Sequence, residues 1–307
     1  MPERFIPESA LYIWFNLVPY KGVIIRAMNS AEYIGFLNGE LTDSVSVRDR
    51  GFCYGHGLFE TIRLANGVAP LWRYHLSRIS SGAERLGIAI TEQLLDQYCE
   101  QLLEACPANG VIKIIITAGS GGRGYRAEKD SSPNYLLQWF PLPVNSLEYW
   151  QQGIALKLCQ HRLPSSPSLA GIKHLNRLDQ ILARSEWNTD YPEGLMLDQQ
   201  GNVVEGVSSN IFYSQNGQWR TPPLDQCGVA GVMRQYLLDE LLPALSKPVH
   251  VKAISLEALL SVDELFVCNS VMGIWPVVAL ENRANWVAGE GTQQIQAQLH
   301  RALSCFG

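Results

Sequence analysis

Charge is scarce in this chain: Asp, Glu, Lys and Arg make up 17% of 307 residues, with a balance of −5. No basic excess is available to neutralise a phosphate backbone, so nucleic acid is not an expected partner. Cysteine occurs seven times, at 53, 99, 106, 159, 227, 268 and 305, an odd number with no C-x-x-C pair. That pattern argues against a disulfide framework and a zinc site, and the expected setting is a reducing cytoplasm. The six histidines lack ligand spacing, so no metal is expected. Internal repeats and low-complexity tracts are missing too. Long apolar runs are absent: residues 11–26 are broken by Asn16, Pro19 and Lys21. This stretch falls short of the roughly 20 apolar residues of a spanning helix and lacks the basic start of a secretory signal. Residues 1–32 are therefore an N-terminal extension without an assigned role, and no membrane partner is expected.

Apolar residues make up 47% of the chain, which suits a folded enzyme and not a disordered protein. At 307 residues the length exceeds one small core and implies two domains. Residues 36–40 read as a strand and turn, and 61–65 as a strand closed by Asn66-Gly67. Leu76, Ile79, Ala83 and Leu86 predict a helix over 72–86 that Gly87 stops. Thr91 is placed to cap a second helix through Ala105, and 111–117 and 135–140 are strands joined by a Gly/Arg loop. Residues 33–140 thus form a smaller α+β domain. Pro141 and Pro143 mark 141–147 as an interdomain linker. Residues 148–307 form the larger domain, with strands at 154–160, 195–197, 202–205, 209–213 and 265–269 and a helix over 231–242. The class is α/β (α+β), with a β-rich larger domain that carries helices.

One lysine stands apart. Lys173 follows a glycine-containing segment and precedes Leu175, Leu178, Ile181 and Leu182, spaced to bury one helical stripe. Apolar surroundings disfavour the ammonium form, as an imine-forming amine requires. Such an amine becomes useful beside a carbonyl cofactor, and pyridoxal phosphate asks for an acid at its ring nitrogen and a cup for its phosphate. Glu205 ends an apolar strand and could supply the acid. Residues 228–234 (GVAGVMR) put two glycines before a helix, where free amides can meet an anion. Arg78, in His75-Leu-Ser-Arg78, is a second anion-binding candidate. The loop 119–126 (GSGGRGYR) reads as a mobile cationic flap whose Arg123 and Arg126 could hold a carboxylate-rich substrate. Taken singly, each of these residues is more often a solvated surface group.

Together, the stretches 119–125 (GSGGRGY), 169–178 (LAGIKHLNRL), 221–234 (TPPLDQCGVAGVMR) and 267–276 (VCNSVMGIWP) resemble the fold-type IV pyridoxal phosphate enzymes. That family holds the branched-chain and D-amino acid aminotransferases. The Lys-His-Leu-Asn-Arg and Gly-Gly-Arg-Gly-Tyr forms are similar to its 4-amino-4-deoxychorismate lyase branch, which serves folate biosynthesis. The resemblance implies that Lys173 bears pyridoxal phosphate and is the catalytic base, and that Glu205 faces the pyridine nitrogen. It further implies that Arg78, the Val232 and Met233 amides and the Ser270 hydroxyl hold the phosphate. His174, Arg177, Arg123 and Arg126 become candidates for the substrate's carboxylates. In the aminotransferases a tyrosine follows the lysine by a few residues; Arg177 occupies that neighbourhood here, and Ser270 stands near a family threonine. A small-molecule substrate and a homodimer are also implied, with 4-aminobenzoate and pyruvate as products. An aminotransferase acting on D- or branched-chain amino acids is the alternative.

Overall fold

Alternating burial along the chain builds two sheets. The computed structural model describes residues 34–128, 131–143 and 146–306; the N-terminal extension, with Tyr33, lies outside them. The first sheet contains β1 (Ile34–Leu37), β2 (Glu40–Leu41), β3 (Gly57–Leu64), β4 (Gly110–Thr117) and β5 (Asn134–Phe140). Its order is β2-β1-β5-β4-β3, antiparallel throughout. In β3, Leu58, Glu60, Ile62 and Leu64 are buried while the residues between them are less so. One face therefore packs and the other stays available. Helix α1 (Arg50–Tyr54) precedes β3, and α2 (Trp72–Arg85) and α3 (Glu92–Ala105) follow it. Ile79 and Ala83 of α2 and Leu95 and Leu102 of α3 pack with Ile62, Ile112 and Ile114 of the sheet. Gly87 adopts φ +67° just beyond α2, the left-handed conformation that ends a helix. Thr91 is the N-cap of α3, although its side chain makes no capping hydrogen bond.

The prolines at 141 and 143 lie in a stretch without regular structure, followed by α4 (Ser146–Gln152). Next come β6 (Ile154–Leu163), α5 (Leu178–Arg184), β7 (Glu193–Asp198), β8 (Val203–Gly206), β9 (Asn210–Gln215) and β10 (Gln218–Thr221). Helix α6 (Val232–Tyr236) and strands β11 (Val249–Val251), β12 (Glu264–Asn269), β13 (Gly273–Leu280) and β14 (Ala284–Asn285) complete the second sheet and its cover. This sheet is mixed: β6 runs parallel to β7 and β13, whereas β9, β12 and β13 pair antiparallel. The helix expected over 231–242 is divided, because a wide turn over Leu237–Leu241 separates α6 from a short helix at Leu242–Ala244. Both sheets belong to one compact unit, Glu32–Gly307. Among the described residues, no helix is long and apolar enough to cross a membrane.

The stripe expected to bury α5 does not do so. Leu178, Ile181 and Leu182 are 71%, 57% and 55% exposed, and Ala183 is the buried residue instead. Helical spacing correctly placed these side chains on one face, but that face points away from this chain's core.

Candidate active site

Lys173 is fixed from both sides by backbone hydrogen bonds. Its carbonyl accepts the Phe59 amide at 2.9 Å, and the Leu175 amide reaches the Gly57 carbonyl at 2.9 Å. On the other flank, the Gly171 amide meets the Gly228 carbonyl and the Ala230 amide meets the Gly171 carbonyl. The lysine segment is thus laced to β3 and to the loop before α6. Its ammonium group lies 4.5 Å from the Phe59 ring centroid, within cation–π range. Lys173 lines a cavity of about 310 Å³. Burial, assisted by the Arg78 charge, pushes its pKa down to about 8, with Glu60 and Glu205 opposing.

Glu205 lines the same cavity and is only 3% exposed, so it is not a solvated strand end. Burial raises its pKa to about 7 despite the Val229 amide, which donates to Oε2 at 2.8 Å. Asn210 Nδ2 approaches the same oxygen at 3.4 Å and donates to the Val229 carbonyl at 2.9 Å.

Arg78 is held more firmly than its position on α2 implied. Its Nε and Nη2 donate to the two oxygens of Glu60 at 2.7 and 2.5 Å, and Nη1 donates to the Ala230 carbonyl at 2.8 Å. Glu60 also accepts His75 Nδ1 at 2.6 Å. Burial alone would raise the Glu60 pKa, but the Arg78 charge leads the effects that bring it down to about 2. Burial keeps His75 below the usual histidine range, so it serves as a neutral donor. A guanidinium has further N–H groups beyond those engaged, and Arg78 also lines the cavity.

The loop before α6 completes one wall. Gly231 is the N-cap, and no side chain caps this helix end, which leaves its first amides available to an anion. Val232 lines the cavity, whereas the Met233 side chain is packed in the core and only its amide could serve an anion. A Cβ at Gly231 would lie 1.8 Å from Asn210 Oδ1. Gly231→Ala is accordingly expected to destabilise the protein by about 1–3 kcal/mol, read as a lower melting temperature.

The remaining candidates divide. Ser270 lines the cavity, but its hydroxyl donates to the Thr61 carbonyl at 2.8 Å. Its proton points to that carbonyl, and the expected contact with phosphate stays a proposal. Arg177 lines the cavity with a buried Nε that has no hydrogen-bond partner. His174 lies outside the lining; its Nδ1 is 2.8 Å from Arg177 Nη2, and burial followed by the Arg177 charge pushes its pKa down to about 4. It supports Arg177 as a neutral group. Arg123 and Arg126 are exposed and do not line the cavity. Their loop is tied down by buried Arg50, which donates to the Gly124 and Tyr125 carbonyls at 3.1 and 2.8 Å. Within one chain the expected flap is therefore anchored, and neither arginine lines the cavity of Lys173.

Sequence reasoning missed Glu60, His75, Phe59 and Thr61. Two signals were available for the first pair: a carboxylate at the inward parity of an apolar strand, and a histidine one helical turn before Arg78.

A model of the family described as amino-transferase class IV matches residues 57–280. The chain belongs to this family. It is 34% identical to an aminodeoxychorismate lyase of Vibrio harveyi over 271 residues, 86% of this chain and 99% of that one. It is 31% identical to a putative branched-chain-amino-acid aminotransferase of Methanocaldococcus jannaschii, over 89% of this chain and 97% of the other. Among solved structures, the 4-amino-4-deoxychorismate lyase of Pseudomonas aeruginosa superposes with a TM-score of 0.84 at 42% identity, covering 88% and 99% of the two chains. The fold is the family's fold-type IV arrangement. The donor set in the cavity also suits the family cofactor: a depressed amine, a buried carboxylate, a guanidinium and an uncapped helix start share one enclosure.

Proposed function

We propose that this protein is a pyridoxal phosphate-dependent lyase that converts 4-amino-4-deoxychorismate to 4-aminobenzoate and pyruvate in folate biosynthesis. The observation that carries the reading is the convergence of Lys173, Glu205, Arg78 and the start of α6 on one cavity. Lys173 would carry the cofactor; Arg78 and the Val232 and Met233 amides would hold its phosphate; Glu205 would face its ring nitrogen. Bound there, pyridoxal phosphate supplies an amine-capturing carbonyl and a ring that accepts electrons.

The residues then act as follows. Lys173, with a pKa near 8, is partly neutral at physiological pH. Its Nζ takes the proton from the amine-bearing ring carbon of the substrate. Glu205 holds a proton at the cofactor nitrogen, fixed in place by the Val229 amide. Arg177, whose Nε is unpartnered, receives a substrate carboxylate. Loss of the enolpyruvyl group as pyruvate leaves an aromatic ring, which drives the elimination. The 34% and 42% identities to the lyases of Vibrio harveyi and Pseudomonas aeruginosa support this branch over transamination. The test is incubation with aminodeoxychorismate in the absence of any amino acceptor. Equal release of pyruvate and 4-aminobenzoate is expected. Conversion of the cofactor to its pyridoxamine form by D- or branched-chain amino acids, without pyruvate release from the chorismate, would instead identify an aminotransferase.

The working unit in this reading is a cytoplasmic homodimer. The exposed Leu178, Ile181 and Leu182 stripe supports it, as does Phe52 of α1, which is 74% exposed. Asn176 Nδ2 donates to the Gly55 carbonyl, joining the two segments that carry these side chains. Ile181→Glu is expected to convert a dimer to a monomer in light-scattering measurements; a monomeric parent protein would refute this assembly.

A further inference from the structure

One face of β3 serves two cavities. Phe59 and Thr61 line the cavity of Lys173, and Arg63, two residues on, lines a second of about 370 Å³ beside the C-terminal residues. Arg63 Nη1 donates to the Val271 carbonyl at 2.8 Å, and its guanidinium carbon is 5.4 Å from the Phe306 ring centroid. Its Nε is buried and has no hydrogen-bond partner. No carboxylate pairs with Arg63 among the described residues. Burial pulls its pKa down, with only the Cys305 thiol opposing. A guanidinium nevertheless keeps its charge, and a partly desolvated cation with no counter-ion among the described residues is costly. Asn109 shares this cavity; its Oδ1 accepts the Asn66 amide, which leaves its amino group as a donor. Leu142 and Leu303 supply an apolar wall.

We infer that this second cavity binds a small carboxylate with an apolar body, gripped by Arg63 and Asn109. The single guanidinium matches a monoanion, and the leucine wall suits hydrocarbon better than inorganic phosphate does. Arg63 also holds the carbonyl of Val271, which lines the first cavity. An occupant that draws on Arg63 is therefore coupled to the Lys173 cavity through that hydrogen bond.

The experiment is calorimetric titration of the full chain, loaded with pyridoxal phosphate, with sodium benzoate and separately with inorganic phosphate. Saturable benzoate binding is expected in the parent protein and in Arg177→Gln alike, because Arg177 belongs to the other cavity. Arg63→Gln and Asn109→Asp should each weaken it at least tenfold, roughly the effect of one charge-assisted contact. Asn109→Asp keeps the acceptor for the Asn66 amide while adding a repelling charge, and it carries the test if Arg63→Gln does not fold. Four results would overturn the inference: no saturable binding, binding indifferent to both cavity variants, binding lost in Arg177→Gln, or Arg63-dependent binding of phosphate without benzoate. None of them counts against the proposed lyase reaction.

Discussion

Lys173→Ala is expected to lower kcat by about 10³-fold or more, with a folded protein and a melting temperature close to that of the parent. The size follows from removing a positioned general base, which alone supplies about 10²–10⁴-fold, together with the group that anchors the cofactor. The backbone of this residue is fixed through its own carbonyl and the Leu175 amide, neither of which alanine disturbs. Removal of a buried amine whose pKa is depressed to about 8 also relieves a desolvation cost. A large loss of activity should therefore accompany little loss of stability, checked by steady-state kinetics beside thermal melting. Retained turnover would move the base to another residue. A collapse in melting temperature would make Lys173 a structural residue.

Glu60→Ala should behave in the opposite way, with a loss of stability of about 3–5 kcal/mol, the range for breaking a buried ion pair. In a domain of this size that lowers the melting temperature by on the order of 10 °C. The variant leaves Arg78 without its carboxylate and removes the only hydrogen-bond partner of the buried His75 ring among the described residues. The pH dependence has a defined sign. Glu60 titrates near 2 in the fold against 4.5 ordinarily, so its contribution is present above about 4.5 and fades as pH falls toward 2. That shift corresponds to about 3 kcal/mol. Urea unfolding at pH 7 and pH 3 would show it: the gap between parent and variant should narrow in acid. A constant gap would mean that Glu60 acts through packing and not through its charge.

Much of the fold was legible because local signals agreed with the tertiary structure. The 3-4-3 spacing located α2 and the apolar run 111–117 located most of β4; both elements contribute to one core and obey their own periodicity. The apolar face of α5 was legible too, yet periodicity says only that a face is apolar and not what covers it. The helix over 231–242 was expected whole, since nothing in its composition marks the wide turn at Leu237–Leu241. Lys173, Glu205 and Arg78 were found from chemistry carried by short motifs. Glu60 was not, because its role depends on β3 and α2 meeting, residues far from the motif that bears the lysine. The anchoring of the Arg123 and Arg126 loop was not legible for a related reason: a Gly/Arg composition resembles a mobile flap, while buried Arg50, which fastens it, lies some seventy residues upstream.

Borohydride reduction of the protein incubated with pyridoxal phosphate, followed by peptide mass analysis, tests the central claim most directly. The account predicts that the reduced cofactor is fixed on the peptide containing Lys173 and that the visible absorbance is lost on reduction. Label on Lys113 or Lys157 instead, or a protein that takes up no cofactor, would contradict it.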